Sequence, residues 1–156
     1  MEIIIREAVE ADIPVIREMD RDVVLYVASL DGAKDPGAVT IRHRDVFERW
    51  LNIEQQKIYL AFEKKNPGVP IGFVWVVTNT EQFTGLPYCF VMDIGIKEGY
   101  RRAGIGKALM EKATEYARSL GYKRLKLMVN TRNRGAIGFY RGLGFRVEDL
   151  YMKKEL

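Results

Sequence analysis

The sequence predicts a single α/β domain of about six or seven strands and about four helices. Three observations predict it. Runs of β-branched and aromatic residues of strand length alternate with stretches of helical period along the whole chain. One strand, ending at Ile96, runs through a basic, glycine-containing turn directly into a long helix. No repeat, low-complexity tract or composition break divides the chain, and 156 residues that are 47% hydrophobic can bury a full core.

Taken in order, Ile3-Ile4-Ile5-Arg6 is short and β-branched and reads as the first strand. Asp12 is a plausible N-cap and Pro14 is tolerated in the first helical turn. Ile13, Ile16, Met19 and Val23 recur at helical spacing, which carries the first helix to about Ser29. Asp31 to Gly37 is turn chemistry. A second helix is predicted from Ile41 to Glu54, with Val46, Phe47, Trp50 and Leu51 on one face. His43, the only histidine, falls in its first turn beside Arg42 and Arg44 and is expected on the solvated surface. Ile58 to Glu63 and Pro70 to Thr78 read as an antiparallel hairpin across the Lys64–Gly68 turn. The fourth strand follows from Tyr88 to Ile96, where Gly95 predicts a bulge or a close backbone approach.

The third helix spans about Gly104 to Leu120, with an apolar stripe from Ile105 to Leu120 and Gly121 as its C′ residue. Arg124 to Asn130 alternates as a strand, and Asn133 to Leu143 is a short helix. Phe145 to Glu148 and Leu150 to Lys153 are predicted as two last strands.

Composition narrows the functions. One cysteine, Cys89, excludes an internal disulfide framework and a cysteine zinc cluster, and its apolar surroundings make it a small core residue. No apolar run approaches the ~20 residues that span a bilayer. Met1-Glu2-Ile3 lacks the basic start of a signal peptide. A cytoplasmic protein is expected. The net charge of +4 suits an anionic ligand, but basic residues are not massed as in a nucleic-acid binder.

The turn before the third helix is the chemical signal. The first amides of a helix have no internal partner, and the helix dipole adds about half a positive charge there. A phosphate or pyrophosphate fits such a site. Gly104 and Gly106 let an anion approach the backbone, and Arg101, Arg102 and Lys107 add formal charge. A Walker A loop is excluded because Ala108 follows Gly106-Lys107. A dinucleotide fingerprint is excluded because Leu109 stands at the third glycine position.

What remains is Arg-x-x-Gly-x-Gly, from Arg101 to Gly106, which resembles the acyl-CoA pyrophosphate loop of GNAT-superfamily N-acetyltransferases. A second motif supports the resemblance. Asn133, Ala136, Tyr140, Gly144 and Phe145 match the Asn-x-x-Ala-x-x-x-Tyr pattern, closed by Gly-Phe, that follows the fifth strand in that superfamily. The resemblance covers essentially the whole chain, strongly from Asp93 to Phe145 and weakly from Gly32 to Pro87.

The resemblance implies a mixed, mostly antiparallel sheet whose fourth and fifth strands splay at a bulge around acetyl-CoA. Pantetheine would pair with backbone groups of Ile94 and Ile96, flanking Gly95. The pyrophosphate would sit on the amides of Arg102, Ala103, Gly104, Ile105, Gly106 and Lys107. Asn133 would bond pantetheine or shape its channel, and it also suits a helix N-cap. Tyr140 would serve the leaving thiolate as acid. Asp93 is the candidate for base or water-orienting group, or a brace for the bulge. Phe90 and Met128 stand where some relatives carry glutamates, so no strong internal base is evident. A lysine-like amine costs about 4.6 kcal/mol to neutralise at pH 7 and an α-amine only about 1 to 1.4 kcal/mol, which leans toward the second.

The implied activity is direct acetyl transfer to a primary amine, on a small molecule or a peptide N-terminus, with no metal. The two N-terminal helices and the loop Asn79–Pro87 would frame the acceptor. The alternative is a non-catalytic acyl-CoA-binding or interaction domain that keeps the fold, against which Tyr140 speaks. Neither a membrane nor a nucleic-acid partner is expected. A homodimer is expected as a possible way to cover late sheet edges.

Overall fold

The computed structural model describes all 156 residues. Five strands form one sheet in the order of the chain: β1 (Ile3–Glu7), β2 (Gln56–Glu63), β3 (Asn66–Thr80), β4 (Pro87–Ile96) and β5 (Leu125–Leu127). The first four are antiparallel, and β5 is parallel to β4. Four helices cover the sheet: α1 (Ile13–Leu30), α2 (Pro36–Leu51), α3 (Ile105–Ser119) and α4 (Arg134–Gly142).

Alternation along the strands divides the core in two. Phe73, Trp75 and Val77 of β3 point to one face and pack with Ile16 and Met19 of α1 and Phe47 of α2. Val74 and Val76 point to the other face and pack with Ile105, Leu109, Ala113 and Ala117 of α3. Trp75 is fully buried, and its indole nitrogen donates to Gln56 Oε1 at 2.6 Å, so the ring's polar atom is satisfied.

The structure corrects the expectations at several points. The sheet has five strands, not six or seven. Residues 145–156 form no strand, and Val147, Leu150, Tyr151 and Met152 are exposed. The three residues of β5 offer too short an outer edge to template a ladder. Lys126 instead pairs with Glu148 at 2.6 Å and so fastens the segment through side chains.

The second helix starts at Pro36 rather than Ile41, because Asp35 caps it. The Asp35 carboxylate accepts from the amides of Gly37 and Ala38 at 2.9 and 3.1 Å. The residues read as a turn thus hold the first turn of α2. Asp12 does stand at the N-cap of α1, but its carboxylate accepts from the Val9 amide and the Arg6 guanidinium instead of capping. No helix is long and apolar enough to cross a membrane.

The bulge in β4 falls at Met92. Asp93 lies opposite Trp75 and Val91 opposite Val76, so Met92 has no partner. Gly95 instead marks a close approach. A Cβ there would lie 2.6 Å from Phe73 Cε1 and 2.8 Å from Val23 Cγ2, so only glycine lets α1 press this near to β4.

Candidate active site

The extra residue at Met92 reverses the phase of β4. Before the bulge, Val91 packs on the α3 side; beyond it, Ile94 and Ile96 do. Met92 and Asp93 are consecutive, yet Met92 packs toward α1 and Asp93 meets α1 through Asp20. In an unbulged strand Asp93 would face α3. The backbone turns with the side chains. The Lys97 amide bonds to Ile71 on β3 at 2.9 Å, so alternation directs the polar groups of Ile96 and Ile94 to the opposite edge.

That edge is vacant. β5 pairs with β4 only from Cys89 to Val91, and β4 runs on alone to Ile96. The Ile94 amide donates to its neighbour's Asp93 Oδ1 at 2.7 Å, and Arg101 Nε reaches the Ile96 carbonyl at 3.4 Å. A wedge of unpaired strand edge thus opens between β4 and the α4 end of the molecule.

The basic loop closes one end of the wedge. Arg102 and Gly104 both have positive φ, at +64° and +81°. The first internal bond of α3 runs from the Ala108 amide to the Gly104 carbonyl at 3.1 Å. The amides from Arg102 to Lys107 have no acceptor within the chain. Successive free amides at a helix start, with left-handed residues between them, form a cradle for an anion. Arg101, Arg102, Ala103 and Lys107 are exposed around it, whereas the Ile105 side chain is buried in the core and offers only its amide.

The two glycines do different things. Gly104 has open space at its Cβ position and is required by its φ. Gly106 faces Phe139 of α4, where a Cβ would lie 3.1 Å from Cζ. Its lack of a side chain sets how closely α3 packs against α4.

Asn133 caps α4, with Oδ1 accepting from the Ala136 amide at 3.2 Å. The cap fixes where the helix begins and so where Tyr140 falls, two turns on. Tyr140 packs edge-on against Phe145, with ring centroids 5.8 Å apart. Burial, and next the charge of Asp93, push its phenol up to about 12. The two residues singled out for chemistry therefore share one site, although 47 positions separate them in the chain.

Asp93 has company that the sequence reading missed. Burial raises its carboxyl well above the ordinary carboxylate range. The charge of the nearby Asp20 carboxyl raises it further, while the hydrogen bond from the Ile94 amide pulls the other way. Asp20 is 1% exposed, and its Oδ2 lies 2.6 Å from His43 Nε2. His43 is therefore buried, at 6% exposure, and not on the solvated surface. The reason is helical phase: His43 lies four residues before the core residue Phe47, on the same face of α2, and that face packs against α1. The available signal was the i, i+4 spacing from His43 to Phe47, already on the apolar face of the expected helix; Asp35-Pro36, an N-cap followed by proline, signalled only the earlier start of α2. Phe90 packs toward the α1 face and Met128 is exposed. No group of three or more His, Cys, Asp or Glu side chains is placed to hold a metal ion.

Together the vacant strand edge and the amide cradle define a site for an extended ligand with an anionic end, beside a phenol and a carboxyl. Comparison with known proteins agrees. The model of the acetyltransferase (GNAT) family matches residues 25–145, and the chain belongs to that family. An uncharacterized N-acetyltransferase of Methanocaldococcus jannaschii is 36% identical over 107 residues, covering 65% of this chain and 45% of that protein. The chain spans about half the length of the curated relatives it matches. Among solved structures, a putative acetyl transferase from Pyrococcus furiosus superposes with a TM-score of 0.84 at 25% identity, over 99% of this chain and 100% of that one. The structure of AAC(6')-Iy with the bisubstrate analog CoA-S-monomethyl-acetylneamine gives 0.74 at 18% identity, with both chains covered completely, and shares the fold.

Proposed function

We propose that this protein is an acetyl-CoA-dependent N-acetyltransferase that transfers an acetyl group to a primary amine by direct attack in a ternary complex. One observation carries the reading: the free amides from Arg102 to Lys107 adjoin the unpaired stretch of β4. A pyrophosphate with an extended arm needs this pair of features. The cradle is fixed before binding, so little ordering is lost when an anion enters. Ile94 and Ile96 would bond the arm as a neighbouring strand would, and Arg101, Arg102 and Lys107 would add charge around the phosphates. Asn133, already the cap of α4, would border the arm's channel.

Acetyl-CoA supplies an acyl thioester, whose carbonyl accepts the amine and whose sulfur leaves. Tyr140 stays a neutral phenol throughout the working pH range. With a thiol near 8.5, full proton transfer from a phenol at about 12 is uphill by roughly 5 kcal/mol. Tyr140 therefore acts first as a hydrogen-bond donor that strengthens as charge grows on sulfur. The acceptor, a small-molecule amine or a peptide N-terminus, would enter between α1, α2 and the β3–β4 loop. The bisubstrate analog in the AAC(6')-Iy structure joins CoA to an acetylated neamine, which supports an amine acceptor.

A screen of small amines and short peptides, read by release of CoA thiol, tests the proposal. Thiol released with an amine and not without it is the expected result. Binding of acetyl-CoA with no transfer to any acceptor would leave a non-catalytic acyl-CoA-binding domain.

A further inference from the structure

The wedge beside β4 has two walls, and the ladder that joins them ends early. Its last rung pairs Val91 of β4 with Leu127 of β5. Beyond that rung, one wall is β4 with α1 pressed on it at Gly95, and the other is the chain that leaves β5 for α4. We infer that Asn130 and Arg132, bonded to Asp31 and to the Leu30 carbonyl at the end of α1, form a latch that joins the two walls. Asn130, Arg132 and Asp31 are positioning residues that hold the start of Tyr140's helix at a fixed place relative to α1. The latch's purpose rests on the acetyl-transfer reading; its bonds do not.

Two side chains cross from one wall to the other. Asn130 Nδ2 donates to Asp31 Oδ1 at 2.7 Å, over a separation of 99 positions in the chain. Arg132 donates through Nη1 to the Leu30 carbonyl, also at 2.7 Å, and the same nitrogen lies 3.7 Å from Asp31 Oδ1. Leu30 is the last residue of α1. The amides of Asp31 and Gly32 bond to the Ala28 and Ser29 carbonyls, which leaves the Leu30 carbonyl without a backbone partner. Such carbonyls carry the partial negative charge of a helix end, so a guanidinium is well suited to cap one.

On its own side of the wedge Asn130 organises the start of α4. Its Oδ1 accepts from the Arg132 amide at 2.9 Å, and its carbonyl accepts from the Asn133 amide at 2.9 Å. Because that amide can only donate, Oδ1 must face it and Nδ2 must face Asp31. Asn133 in turn caps α4 through the Ala136 amide, with Tyr140 two turns beyond. The turn itself needs only the Oδ1 and carbonyl bonds. The Nδ2 bond to α1 is the part that local structure does not require.

The wedge is therefore enclosed by a ring made of β4, α1, the latch, the β5–α4 turn and β5. The ladder rung holds the ring at one end and the latch at the other. Ile94, Ile96 and the amides from Arg102 to Lys107 make no hydrogen bond to a latch residue, so the cofactor's groups do not depend on it. The start of α4, and Tyr140 with it, does. Misplacement of a reacting group by about 1 Å is enough to cost roughly 100-fold in rate. The latch bonds are all exposed, and exposed pairs add little to global stability. A large loss of turnover with little change in Tm separates positioning from mere support.

Asp31→Ala removes the acceptor of Asn130 Nδ2, and Arg132→Ala removes the donor to the Leu30 carbonyl. Both side chains are exposed, so the double variant opens the latch without touching Asn130 or α4. Asp31→Asn keeps an acceptor oxygen and serves as the conservative control. Amide hydrogen exchange is measured on the full chain without acetyl-CoA. The amides of Asn133, Ala136 and Ile137 should exchange about tenfold faster in the double variant, with Tm little changed and Asp31→Asn at wild-type rates. Kinetics on an accepted amine supply the second arm. The double variant should lower kcat about 100-fold with the KM for acetyl-CoA unchanged, and Asp31→Asn should retain turnover. Should the double variant fail to fold, Asp31→Ala decides alone. Wild-type protection at the start of α4 in the folded variant would overturn the latch, and faster exchange with undiminished kcat would overturn its positioning role. Faster exchange in a protein that acetylates no amine would confirm the latch and refute the enzymatic reading.

Discussion

At the scale of single residues, burial pushes both the Tyr140 phenol and the Asp93 carboxyl toward their neutral forms. Tyr140 is held neutral by burial and by the neighbouring carboxyl. Tyr140→Phe keeps the ring against Phe145 and removes only the hydroxyl. We expect kcat to fall roughly 10- to 1000-fold with little change in the KM for acetyl-CoA, because the bond strengthens only as sulfur charge develops. A steady-state comparison at saturating amine measures this, and full activity would reduce Tyr140 to packing.

Asp93 allows a test without substrate. Its native carboxyl is raised above its unfolded value, so the native state binds more protons between the ordinary carboxylate range and that raised value. Its contribution to stability is fully present on the acid side and is lost as pH rises through the window. Asp93→Asn cannot ionise. The difference in Tm between wild type and Asp93→Asn should therefore move in favour of the variant as pH rises. A difference that is flat with pH would contradict the raised carboxyl.

At the scale of elements, one bulge and one close approach make the site. Met92 turns Asp93 toward α1 and the amides of Ile94 and Ile96 toward the vacant edge; Gly95 admits α1. Gly95→Ala places a methyl within 2.6 Å of Phe73 and 2.8 Å of Val23, and one of them must move. Overpacking of this kind costs about 1–3 kcal/mol, which denaturant unfolding would register. The loop before α3 gives a separate prediction. Gly104 sits at φ +81° with open space around its Cβ position. Gly104→Val should cost about 1–2 kcal/mol through backbone strain and should also abolish the rise in Tm on adding acetyl-CoA, because the side chain would occupy the anion's approach. A preserved ligand shift in the destabilised variant would remove the loop from the binding site.

At the scale of the whole molecule, the sheet divides the labour. Its α3–α4 face presents the amide cradle and Tyr140, and its α1–α2 face presents Asp20 and His43; the two meet only where β5 stops and β4 continues. The outer edge of β5 is left without a strand, and Met128 beside it is exposed. The edge is too short to pair by itself, but Met128, Val147, Leu150 and Tyr151 leave apolar surface exposed that a second copy would cover. We expect a particle of about twice 18.0 kDa by sedimentation, reduced to a single chain by Met128→Lys. A monomeric wild type at working concentrations would exclude this.

How much was legible follows the range of the forces involved. The sequence by itself determined the α/β class and the presence and order of the first five strands and all four helices, because each rests on hydrophobic period and local capping, while the start of α2 and of β3 fell earlier than expected. It also determined the Arg101–Gly106 loop and the Asn133–Tyr140 spacing, because a helix start and two helical turns are local geometry. Tertiary structure decided the rest. Phe145 to Glu148 and Leu150 to Lys153 read as two strands, yet a strand needs a partner edge, and three residues of β5 do not supply one. Gly106 reads only as room for an anion; that it also faces Phe139, 33 residues on, is decided by the packing of α3 on α4. His43 reads as surface among arginines, and Asp20 as one more acidic residue of α1. Only the packing of α1, α2 and β4 places them behind Asp93, because electrostatic coupling depends on distance in space and not on separation along the chain.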